Sequence, residues 1–178
     1  RLALEALTLG VGIYGIYAQS MIYRIKARPS WDRVTTNMKF FGVAYVGAFM
    51  LALFGLFLGV TQAVVPLVSL GMVGAMAQLF FSYEDERTLD TTTKNEYQLK
   101  RSSRLLHENF KNVKLFRFAS LMVGGMFLPL LAIVLISATS TSFMALMALS
   151  LSFTLVVASE LSDRFLFYAT VVPLGMAG

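Results

Sequence analysis

Residues 40–60 read FFGVAYVGAFMLALFGLFLGV, and after Thr61 and Gln62 residues 63–83 read AVVPLVSLGMVGAMAQLFFSY. Neither stretch of 21 residues carries a charge. At a rise of about 1.5 Å per residue, each makes a helix of roughly 30 Å, the thickness of a bilayer's hydrocarbon core. The apolar runs are continuous rather than alternating. An open sheet would leave backbone edges unsatisfied in lipid, so strands are excluded. The two stretches therefore predict an antiparallel pair of membrane-spanning helices joined by a short uncharged turn.

Working outward, three more windows have spanning character: 2–23, 118–138 and 142–159. The last reaches full length when its helix continues past Ser159. Across the 178 residues, 57% are hydrophobic and 14% charged, against about 25% charged in soluble domains. A soluble domain of this size could not bury so much apolar surface. The expected fold is an all-α polytopic transmembrane helix bundle of five spans, a single domain over 1–178. The chain starts at Arg1 and enters a helical pattern at once, without a leader-like n-region and cleavage site, and this predicts that it is part of a longer protein. Cysteine is absent, which removes Cys-based catalysis and iron–sulfur ligation from these residues.

The connections differ in character. Those at 61–62 and 139–141 are short and uncharged, whereas 24–39 and 84–117 are charged loops. The first holds Arg24, Lys26, Arg28, Arg33 and Lys39; the second holds eight basic and six acidic residues. Because spanning helices alternate in direction, both loops and the C-terminal end fall on one side. With Arg164, that side carries 14 of the 15 basic residues. The net charge of +5 thus belongs to a membrane or partner surface rather than to a nucleic-acid-binding face. The positive-inside rule reads this side as cytoplasmic. Within the spans, Gly55 and Gly59 have the small-xxx-small spacing of close helix packing, and Pro129 predicts a kink in the fourth span. Residues 95–115 place Leu99, Leu106 and Phe110 near one face, which predicts either an interfacial amphipathic helix leading into the fourth span or a solvated connector.

Few residues suggest chemistry. His107 is the only histidine and lies in a charged loop; a membrane haem b needs ligands inside the bundle. No metal-ligand spacing, nucleotide-binding glycine loop or hydrolase motif is present. Glu160 and Arg164 are four apart at the end of the last span, in the order that favours an ion pair on a helix. Charged residues at that depth are costly. The pair reads first as a device that fixes the last helix and second as a proton acceptor. Arg28-Pro29-Ser30-Trp31 opens the first charged loop; Pro29 stops the preceding helix, and Trp31 suits the membrane interface.

Two stretches carry a resemblance. One runs Met21-Ile22-Tyr23-Arg24, Pro29-Ser30-Trp31, Thr35-Thr36 and Phe40-Phe41-Gly42. The other runs Ala158-Ser159-Glu160-Leu161-Ser162-Asp163-Arg164-Phe165-Leu166-Phe167-Tyr168 and then Gly175-Met176. Their order and setting resemble the membrane anchor subunit of the bacterial dimethyl sulfoxide reductases, with these five windows similar to the last five of that family's eight spans. The resemblance implies a haem-free anchor in the bacterial cytoplasmic membrane, free of iron–sulfur clusters itself. It implies that menaquinol is the substrate, and that electrons pass to an iron–sulfur subunit feeding a molybdopterin catalytic subunit. The family's histidine and glutamate associated with quinol fall in spans that these windows do not match. Here Glu160, Arg164, Trp31 and Arg28 are the candidates near quinol. Arg24, Lys26, Arg33, Lys100, Arg101 and Arg104 are the candidates for docking a partner. Exported catalytic subunits would put the basic face outside the cytoplasm, opposite to the charge rule. Two rival readings are a secondary transporter fragment, which would show a midplane site and an internal repeat, and a purely structural membrane anchor.

Overall fold

The structure, a computed structural model, describes residues 2–24, 34–92, 97–138 and 142–170, with side chains over 2–24, 36–87, 101–138 and 143–170. These residues form eight α-helices and two π-turns, and no strand occurs among them. Helix α1 is Leu2–Tyr23, α2 Val34–Gly42, α3 Ala44–Phe57, α4 Thr61–Thr92 and α5 Tyr97–Arg104. A π-turn at Leu105–Asn109 leads to α6 (Lys111–Met122); a second at Val123–Phe127 leads to α7 (Leu128–Ala138), and α8 is Ser142–Ala169. Five stretches are long and apolar enough to cross a membrane: Leu2–Tyr23, Thr36–Phe57, Thr61–Arg87, Lys111–Ala138 and Phe143–Ala169. The all-α, five-span expectation holds, and the last helix does continue past Ser159.

The core is where α3, α4, the fourth span and α8 meet. Phe49, Ala52, Val64, Val68, Ala75, Leu121, Ala132, Leu149 and Val156 are buried there. Leu51, Phe54, Val73, Met76, Leu130, Val134, Met147 and Leu151 face outward and are exposed. Ala52, Ala75 and Ala132 let the helices approach at their crossings, Phe49, Leu121 and Leu149 fill the space between them, and the remaining large apolar side chains face the lipid. Helix α1 packs on α2, and Ser20 is its buried residue.

The glycines at the crossings are not the pair singled out by spacing. A Cβ on Gly55 would make only ordinary contact with Val64, and Gly59, at φ +75°, ends α3 and turns the chain into α4. The close approaches lie elsewhere. A Cβ on Gly74 of α4 would overlap the Cβ of Tyr45 on α3. On Gly124 it would lie 2.7 Å from the Cβ of Leu155, and on Gly125 2.7 Å from that of Ala75. Gly124 and Gly125 sit in the π-turn that breaks the fourth span, so α4 and α8 both press on that break. The irregularity also agrees with Pro129, which has no N–H to offer the Gly125 carbonyl one turn back. Ser152 of α8 fills part of the gap by donating a hydrogen bond to the Gly124 carbonyl at 2.5 Å.

The described part of the long charged loop is largely helical. Helix α4 runs on to Thr92, and α6 begins at Lys111. Of the segment 95–115, the described residues 97–115 do not form one amphipathic helix: α5 packs against α4, then the π-turn and Phe110 (φ −111°) redirect the chain. Phe110 packs edge-on against Phe165 of α8, with ring centroids 5.6 Å apart.

Replacing Gly74 with Ala is expected to destabilise the bundle by about 1–3 kcal/mol through overpacking. Gly47→Ala, where nothing lies within 4 Å of the added methyl, is expected to be neutral. Survival of monodisperse protein after heating in detergent, read by size-exclusion chromatography, checks both.

Candidate functional site

The polar residues of the spans converge at one end of the bundle. Four register positions on α8, Ser152, Ser159, Glu160 and Asp163, share one helical face, and all four are buried. On α4, Gln78 and Ser82 are one turn apart and buried, with Asp85 following on the same side. Each would be costly in hydrocarbon without a partner.

Arg117 of α6 is the hub. Its Nη1 lies 2.9 Å from Asp163 Oδ1, with 7% and 4% of the two side chains exposed. Its Nη2 donates to Ser82 Oγ at 2.6 Å, and Ser82 in turn donates to the Gln78 carbonyl at 2.7 Å. The Arg117 carbonyl accepts from Ser120 at 3.0 Å and from Ser159 at 3.1 Å. One side chain and its peptide thus tie α4, α6 and α8 together. Two further ion pairs flank it toward the membrane surface, Lys39–Asp85 at 2.7 Å and Lys114–Glu86 at 2.6 Å. Lys39, Ser82, Asp85, Glu86, Lys114, Arg117 and Asp163 line a cavity of about 60 Å³ together with Thr36, Ser102 and Thr170, and with Leu106, Leu166 and Phe167 on its apolar side. By size and lining it suits a few ordered waters.

One turn deeper lies Glu160. Its Oε1 accepts from Tyr45 Oη at 2.9 Å and from Gln78 Nε2 at 3.3 Å. Its Oε2 and the Gln78 Oε1 are buried with no hydrogen-bond partner among the described residues. Beside them an apolar cleft of about 320 Å³ is lined by Met38, Phe41, Gly42, Tyr45, Gly74, Gln78 and Phe81. Gly42 matters here: a Cβ at this position would overlap the Gln78 amide oxygen.

The expected ion pair between Glu160 and Arg164 is not made. Glu160 turns inward to Tyr45 and Gln78, while Arg164 stacks its guanidinium 4.2 Å from the ring centroid of Phe40. It faces a separate cleft of about 470 Å³ that also borders Gln19, Tyr23 and Tyr168. The residues that brace the last helix are instead Asp163 and Arg117. Trp31, Arg28, Lys26 and Arg33 lie outside the described residues, as does the Lys100 side chain. Arg24 is half-buried at the end of α1. Arg101 and Arg104 are exposed on α5, and Arg104 pairs with Glu108 at 3.3 Å. His107 sits on the exposed π-turn, its Nδ1 2.9 Å from the Ser103 carbonyl. Tyr45, Gln78, Ser82, Arg117 and Asp163 were not among the candidates; uncharged polar residues inside apolar windows, Gln78 and Ser82 above all, were the available signal.

Removing one member of a buried ion pair strands the other. Asp163→Asn is expected to cost about 3–5 kcal/mol, whereas the double replacement Arg117→Met with Asp163→Leu is expected to recover more than half of that loss. Thermal midpoints of the three proteins in detergent decide it; a double variant no better than the single would contradict it.

The described residues of the two sequence stretches that carry the resemblance meet at this end of the bundle. Tyr23 stacks on Phe40 at 5.1 Å, both contact Phe167, and Tyr168 donates to Tyr23 Oη at 3.0 Å. A sequence model of the family described as DMSO reductase anchor subunit (DmsC) matches residues 2–170. No curated protein and no solved structure matches the chain significantly. The family match runs through all five spans, the whole first stretch and the second stretch as far as Tyr168. The chain belongs to the DMSO reductase anchor subunit (DmsC) family, and is a multi-pass membrane protein that associates with other subunits of a reductase complex.

Proposed function

We propose that this anchor oxidises menaquinol in the bacterial cytoplasmic membrane and passes the electrons to an iron–sulfur subunit, which supplies a molybdopterin catalytic subunit. The observation that carries the reading is Glu160: a carboxylate inside a spanning helix, hydrogen-bonded from two other spans, one turn from a polar cavity that leads to the charged face. Oxidation of a quinol releases two electrons and two protons. The electrons leave through the partner's cluster; the protons need an acceptor within reach of the lipid phase. Glu160 is such an acceptor. Asp163 and the Lys39–Asp85 pair, which border the polar cavity, supply the next polar groups toward the surface.

The partner would dock on the same face. Arg101 and Arg104 on α5, and Lys111 at the start of α6, are exposed there, and a basic surface favours rapid, oriented association with an acidic partner. Cluster and quinol site would then share one end of the bundle. The lone histidine lies on the exposed π-turn outside the spans, which supports direct transfer without a haem in this chain.

The test is menaquinol-dependent reduction of an S-oxide or N-oxide by the full-length chain purified with its partner subunits. Glu160→Gln keeps the shape and removes the proton acceptor. It is expected to lower turnover by about 10²-fold or more, the scale of general-base catalysis, while the partner subunits still copurify. Unchanged turnover in the variant, or no menaquinol-dependent activity in the parent complex, would overturn the proposal.

A further inference from the structure

Helix α1 meets the rest of the bundle at its charged end alone. Ser20 is buried, Ile16 and Tyr23 are half-buried, and residues 2–15 are exposed throughout. A wedge therefore opens between α1, the start of α3 and α8, and its charged end is the cleft of about 470 Å³ that Arg164 faces. Arg164 is half-buried, and among the described residues it makes no ion pair and no hydrogen bond. Its guanidinium stacks on Phe40, which takes one face of the plane and leaves the N–H donors at the edge for an anion. Gln19 and Tyr168 border the same cleft, and no carboxylate among the described residues does. Deeper in the wedge the lining turns apolar, with Ile16, Val43 and Ala44. One turn further, Gly12 of α1 and Gly47 of α3 continue the faces of Ile16 and Val43, and a Cβ on either would meet nothing within 4 Å. A cation at this depth without a counterion is costly.

We infer that the wedge holds one anionic phospholipid, its phosphate on Arg164 and Gln19 and an acyl chain running past Ile16 and Val43 toward Gly12 and Gly47. A phosphate matches the edge of a guanidinium in charge and in two-point geometry, and Gln19 supplies an amide donor from the facing wall. A cation with no acid beside it favours a headgroup of net negative charge. The ammonium of a zwitterionic lipid would bring a second positive charge to a cleft that offers it no partner. Basic pockets between spans suit anionic headgroups for this reason. The open space below runs a full turn along both helices, the shape of a chain rather than of a single side chain. An apolar protein segment would fill that space and leave the guanidinium unmet. The lipid thus joins α1 to α8 at the charged face, beside the contact between Tyr23 and Tyr168.

The experiment uses the full-length chain assembled with its partner subunits, in phosphatidylcholine nanodiscs doped with a phosphatidylglycerol or a phosphatidylcholine that carries a diazirine in its acyl chain. After illumination, peptide mapping reads the sites of attachment. The phosphatidylglycerol probe is expected to label residues 12–16 and 43–47 about fivefold more than the phosphatidylcholine probe does. Arg164→Met is expected to remove that preference, so that the two probes label equally. Gly47→Leu places a side chain in open space and is expected to at least halve labelling of both segments by the phosphatidylglycerol probe. Copurification of the partner subunits verifies assembly of each variant; should Arg164→Met fail to assemble, the two probes on the parent complex and Gly47→Leu still decide. An excess of inorganic phosphate is expected to change nothing, because the acyl chain holds the lipid in place. Equal labelling by the two probes in the parent complex, attachment of neither within these segments, or displacement by inorganic phosphate overturns the inference. A preference that survives Arg164→Met, or labelling unchanged by Gly47→Leu, overturns it as well.

Discussion

The Arg117–Asp163 ion pair is the constraint on which the rest of the arrangement depends. Inside a bilayer there is no water to receive a stray charge, so a guanidinium in the interior must have its partner in place before the helices can close. That requirement sets the relative position of α6 and α8, and the Ser82 contact adds α4. Once these three helices are fixed, the serine-lined face of α8 has one rotation open to it. Glu160, three residues before Asp163, then points into the bundle rather than along the lipid surface.

The packing follows the same logic from the apolar side. Small residues sit where helices cross, at Gly74 against Tyr45 and at Gly124 and Gly125 against α8 and α4. The break in the fourth span is the consequence of putting two glycines one turn before a proline. Within this break Ser152 donates to the buried Gly124 carbonyl. The proposed chemistry uses what these constraints leave over: a carboxylate held at the end of the bundle nearest the charges.

Much of the fold was legible because hydrocarbon thickness acts on each segment separately. Residues 40–60 and 63–83 announce themselves as spans without reference to any neighbour, and alternation of direction then gathers the charged segments on one side. The Lys39–Asp85 and Lys114–Glu86 contacts place those segments together. The site was less legible because it depends on which helices touch. Spacing along α8 suggested that Glu160 would pair with Arg164; the preference belongs to an isolated helix, and contacts from Tyr45, 115 positions away, and from Gln78 outweigh it. Arg117 read as the last residue of a polar loop because composition marks the charge but not the helix start at Lys111. The spacing of Gly55 and Gly59 fits a packing motif equally well whether the second glycine packs or, as here, turns the chain.

The most direct measurement of the central claim is where a quinone touches the chain. An azido-naphthohydroquinone photolabel, held reduced and bound to the complex, followed by peptide mapping, is predicted to modify residues 38–45 and 74–81, the segments that meet Glu160 through Tyr45 and Gln78. Labelling confined to α1, or to the end of the bundle remote from the charged segments, would contradict it.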